Sequence, residues 1–66
     1  MNITRRHNLI LLALCDRERH HICELAYTLD MSIDTIHHLL NDLVRDGKVE
    51  KEPGIFPGVY TYRLAD

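Results

Sequence analysis

Residues 22–47 read ICELAYTLDMSIDTIHHLLNDLVRDG, and the spacing of apolar residues in this stretch decides the fold. Ile22, Leu25, Ala26 and Leu29 recur at i, i+3, i+4 and i+7, the period of a short amphipathic helix. That helix should stop near Asp30 and Met31. Ser32 then offers an N-cap, and Asp34 puts a negative charge in the first turn, where the helix dipole favours it. From Ile33 the stripe Ile36, Leu39, Leu40, Leu43 and Val44 predicts a longer helix over about 33–46, which Asp46 and Gly47 end with a left-handed stop. Two helices joined by so short a turn have to cross closely. Leu25, Ala26, Leu29, Met31, Ile36 and Leu39 fall where they touch, and Ala26 is where a larger side chain would push them apart.

Upstream, Thr4 is an N-cap candidate, and the residues from there to Cys15 contain no glycine or proline. Leu9, Ile10, Leu12, Ala13 and Leu14 are apolar on nearly every side, which predicts a central, buried first helix. The apolar run from Leu9 to Cys15 is far below the about 20 residues of a membrane span, and Arg5 and Arg6 before it lead to no small-residue cleavage site. The expectation is a cytoplasmic protein without a membrane partner. Residues 16–20 read as a charged connector. Downstream, Val49 begins a strand-like stretch, Pro53-Gly54 and Pro57-Gly58 punctuate a loop, and Val59 to Leu64 alternates so that Tyr60, Tyr62 and Leu64 share one face. The expected fold class is mainly α with a small β-hairpin at about 49–64, in a single domain over 1–66. Its core should include Leu12, Ala26, Ile36, Leu39, Leu43 and Tyr62.

A hydrophobic fraction of 45% with 27% charged residues is that of a folded globule. The cysteines, Cys15 and Cys23, are too few for a disulfide framework and are read as buried thiols. With His20 and His21 they have metal-ligand chemistry, but not the spacing of a standard zinc finger or ribbon, so no metal or other cofactor is expected. No serine or cysteine has an evident base beside it and there is no glycine-rich phosphate loop, so the chain does not read as an enzyme.

The short helix, tight turn, longer stripe, glycine and hairpin together resemble the winged helix-turn-helix of bacterial and phage regulators. The run from Leu39 to Val49 resembles the passage from recognition helix into wing in regulators of the MarR and DeoR kinds. The resemblance covers roughly residues 22–64 and departs from the usual pattern at Asp30, where such turns commonly have glycine; aspartate tolerates the left-handed conformation better than most residues. It implies a three-helix winged helix-turn-helix that binds duplex DNA as a homodimeric transcriptional regulator, with the third helix in the major groove.

Rotating about 100° per residue away from the Ile36, Leu40, Leu43 stripe gives the reading face of that helix: Asp34, His38, Asn41 and Arg45, flanked by Thr35 and His37. Asn41 can read adenine bidentately, His38 can donate to a guanine edge, and Ser32 or Thr35 can reach phosphate. Arg5, Arg6, Lys48 and Lys51, with Arg17, Arg19 and Arg63, are candidate phosphate contacts. Against this stands a net charge of -2. Residues 20–47 carry one arginine, Arg45, against Glu24, Asp30, Asp34, Asp42 and Asp46. The tip of the hairpin offers Ile55 and Phe56 in place of a basic residue. These fold back onto the core, form a contact surface for a second subunit or partner protein, or wedge into the minor groove. The alternative reading is therefore a winged-helix interaction module that docks a protein through the acidic helix and the Ile55-Phe56 tip.

Overall fold

The computed structural model describes residues 3–65, with the order α1 (Arg5–Ala13), β1 (His20–His21), α2 (Ile22–Leu29), α3 (Ile33–Arg45), β2 (Val49–Pro53) and β3 (Tyr60–Leu64). Three helices pack with a small antiparallel sheet in the order β1-β3-β2, the arrangement of a winged helix. Met1, Asn2 and Asp66 lie outside the described residues.

Each helix boundary has a local cause. Thr4 caps α1 in a capping box: the His7 amide N–H donates to Thr4 Oγ1, and the Thr4 amide N–H donates to His7 Nδ1 at 3.0 Å. Ser32 caps α3 by accepting from the Thr35 amide at 3.1 Å, as its sequence position predicts. Both α2 and α3 end in a left-handed residue followed by a long backward hydrogen bond. The Met31 amide donates to the Ala26 carbonyl after Asp30 (φ 54°), and the Lys48 amide donates to the Leu43 carbonyl after Gly47 (φ 77°). Asp30 thus performs at the first stop what glycine performs at the second.

The core is Ile10, Leu14, Leu25, Ala26, Ile36, Leu40, Leu43, Val49 and Tyr62, all buried, with Leu39 and Leu64 packed partly buried against it. Ala26, Ile36, Leu43 and Tyr62 are where the sequence pattern puts them. Leu12 is not: it is 67% exposed, and Leu9 is also exposed. Only one side of α1 meets α2 and α3, so an apolar surface that wraps the whole helix cannot all be covered. Cys15 and Cys23 are exposed rather than buried thiols, because one lies just past the end of α1 and the other on the outer side of α2's first turn.

The hairpin is also more than a hairpin. His20, at the end of the stretch read as connector, and His21 after it pair antiparallel with Tyr62 and Thr61 and make a third strand. Two residues are too short to carry an alternation signal, and their place is set by the partner strand. Strand alternation then divides the sheet. Tyr60, Tyr62 and Leu64 share the helix-facing side, as the sequence alternation implies, and Lys51 stands in register with Tyr62 there. Thr61 and Arg63, with their register partners Glu52 and Glu50, occupy the other.

Candidate nucleic-acid interface

Ser32, Asp34, Thr35, His37, His38, Asn41 and Arg45 lie along α3 and its cap. Ile36, Leu40 and Leu43, on the opposite side, are fully buried, which fixes the rotation of the helix. Asp34, His37, His38 and Arg45 are exposed, while Thr35 and Asn41 are half-buried. The His37 and His38 rings stand side by side, centroids 6.2 Å apart. Ser32 is less available than its exposure suggests, because its hydroxyl accepts from the Thr35 amide and donates to Thr35 Oγ1 at 2.8 Å. Arg45 extends into solvent with its guanidinium 3.9 Å from Asp42, a loose ion pair.

The basic residues divide. Arg5 and Arg6 are exposed at the start of α1. Lys48 lies 3.8 Å from Asp46, and the Lys51 ammonium sits 4.3 Å over the Tyr60 ring. Arg19 and Arg63 are drawn into ion pairs on the sheet: Arg19 with Glu52 at 2.9 Å, and Arg63 with Glu52 at 2.8 Å and Glu50 at 3.3 Å. These two cations are therefore spent on neighbouring carboxylates. Thr61, beside Glu52 in the ladder, is buried, and its hydroxyl has no partner among the described residues.

Two histidine networks support the helices that carry the face. His7 is buried, and its Nε2–H donates to Asp42 Oδ2 of α3 at 3.0 Å while Nδ1 serves the α1 cap. One imidazole thereby joins the start of α1 to the middle of α3. His20 contacts Asp16 through Nε2 at 2.9 Å and Glu24 through Nδ1. Burial disfavours its charged form, but the hydrogen bonds and charges of the two carboxylates outweigh that and raise its pKa above 6.5. The same contact, with the Glu18 amide bonded to Asp16, holds the Asp16 carboxyl below its ordinary 3.8. The every-fourth-residue spacing of Asp16, His20 and Glu24 is visible in the sequence, whereas nothing local signals the pairing of residues 7 and 42. Among the described residues no group of three or more His, Cys, Asp or Glu side chains is arranged to hold a metal ion.

The hairpin tip carries its apolar residues outward: Ile55 is 93% and Phe56 68% exposed. Of the three arrangements open to them in the sequence, folding back onto the core is excluded. None of the helices among the described residues is long and apolar enough to cross a membrane.

A closely crossed α2–α3 pair, a supporting α1 and a strand-loop-strand wing define a winged helix-turn-helix domain. Residues 10–57 match the model of a family described as FeoC like transcriptional regulator. The match spans well over half of the chain, from α1 through the wing loop, and the chain belongs to this family, a family of regulators rather than of enzymes. No curated protein and no solved structure matches it significantly.

Proposed function

We propose that the chain is a sequence-specific regulator that binds duplex DNA as a homodimer, with α3 as the major-groove reader and the β2–β3 hairpin as wing. The observation that carries this reading is the face of α3: histidines, an asparagine and an arginine in a row, on a helix fixed from behind by three fully buried side chains. Such a rigid helix holds donors at base-edge spacing without an entropy cost at the moment of binding. Arg5, Arg6, Lys48 and Lys51 supply phosphate contacts around it, and the acidity of the helix-turn-helix keeps the non-specific part of the affinity low.

Selection of bound sequences from a random duplex pool tests the reading. Asn41→Ala should relax base preference and cost about 1–3 kcal/mol on the selected site, whereas Arg5→Ala should weaken all duplexes alike. An Asn41→Ala variant that selects an unchanged sequence removes α3 as reader. A second reading, a winged-helix module that docks a protein, is favoured by the exposure of Ile55 and Phe56 together with the acidity of residues 20–47. Absence of any mobility shift on duplex DNA at low salt would turn the assignment that way.

A further inference from the structure

The inner face of the wing does not close onto the helices. Between them runs a groove of about 400 Å³, bounded by His21 and Ile22 at the start of α2, by His37 of α3, and by Lys51, Val59 and Tyr60 of the wing. That volume lies within the range of small-molecule sites. The sheet register explains its lining. Tyr62 is buried in the core, but Lys51 beside it and Tyr60 two residues away continue the same row outward, past the point where helices cover it.

The charge of this groove runs against that of the chain as a whole. The chain is acidic overall, yet no carboxylate of the described residues lines it. On the same sheet Arg19 and Arg63 are both neutralised by glutamates, while Lys51 has no carboxylate partner among the described residues and rests against the Tyr60 ring. His37 adds a side chain from α3 that can hydrogen-bond through a ring nitrogen. An ammonium without a counter-charge calls for an anion. Ile22, Val59 and the Tyr60 ring call for a flat apolar body, which a bare inorganic anion does not supply.

We propose that this groove binds a small organic carboxylate with a planar apolar body, its carboxylate on Lys51 and its body along Ile22, Val59 and Tyr60. Because His37 belongs both to the groove and to the face proposed to read DNA, an occupied groove competes with DNA; this consequence rests on the reading above, the site itself does not.

The test is a titration of the full chain with 1-naphthoate followed by amide NMR, with 1-naphthamide and inorganic phosphate as controls. Naphthoate should give saturable shifts confined to residues around His21, His37, Lys51 and Tyr60, with affinity at least about tenfold above the amide's, as a charge-assisted contact implies. Lys51→Met should abolish the effect and Lys51→Arg retain it, both with unchanged spectra elsewhere because the side chain is exposed. Shifts that do not saturate, equal binding of the amide, saturation of the same signals by phosphate alone, or full binding by Lys51→Met would each overturn the site. Mobility shifts with and without naphthoate separate the two claims. If the ligand binds while DNA binding is unaffected, the competition is wrong and the site stands; if the chain binds no DNA, the function proposed above fails and the site stands.

Discussion

The helix-turn-helix and the wing are held together by different means. Between α2 and α3 the contact is apolar and close, with Leu25, Ala26, Ile36, Leu40 and Leu43 all buried, and both helices end in hydrogen-bonded left-handed stops. The wing roots Val49 and Tyr62 in the core, but the rest of it is a ladder of backbone bonds with a set of ion pairs on its outer face, and beyond Pro53 it carries exposed apolar residues. A helix packed in this way presents its exposed side chains as a rigid array. A surface stabilised mainly by exposed ion pairs gains little from each of them and is freer to adapt.

Substitutions that attack the packing should therefore have the largest effects. Leu40→Ala deletes a fully buried side chain at the meeting of the helices and should cost about 2–5 kcal/mol by denaturant unfolding. A cost under about 1 kcal/mol would mean that the helix pair is no more tightly packed than the wing. Ala26→Leu overfills the crossing and should cost about 1–3 kcal/mol; a variant as stable as the parent would show that α2 and α3 are not in close approach there.

A smaller effect, with a pH signature, is expected at the seam between the two regions, where His20 belongs to the sheet and its partners Asp16 and Glu24 to the helical side. Since the folded-state pKa of His20 is raised above 6.5, its contribution is complete below the unfolded value and fades as pH rises through the folded one. On the acid side it needs Asp16 ionised, which the depressed Asp16 pKa preserves down to pH values below 3.8. The stability difference between the parent and His20→Gln should accordingly shrink from pH 5.5 to pH 8. A difference constant over that range would mean that the contact is not charged.

The smallest effect belongs to the tip. Ile55→Ser with Phe56→Ser should change stability by no more than about 0.5 kcal/mol, because both side chains are mostly exposed. A loss of 2 kcal/mol, on the scale of a buried apolar side chain, would show that the tip is packed in solution, either on its own chain or on another. Analytical ultracentrifugation distinguishes the two.

Much of this architecture was legible in the sequence because it is encoded over short distances. The α3 stripe, the Ser32 and Thr4 caps, the Asp30 and Gly47 stops and the alternation at Tyr60, Tyr62 and Leu64 all depend on residues within about two turns of one another. The exposed face of α3 follows from its stripe by rotation alone, so which residues share that face was legible too, though the half-burial of Asn41 and the local engagement of Ser32 were not.

What only the tertiary structure decided lies between elements distant in the chain. Leu12 and Cys15 are exposed because α1 is packed on one side, which the helix's own apolar residues cannot announce. His20 and His21 become a strand because Thr61 and Tyr62 present unpaired backbone to them. His7 finds Asp42 thirty-five residues away, and Lys51, indistinguishable in sequence from the paired cations around it, is left facing an open groove. Local hydrogen bonds and hydrophobic period select the elements; which faces are covered, and which charges meet, depends on how the elements pack, and that is a property of the whole chain.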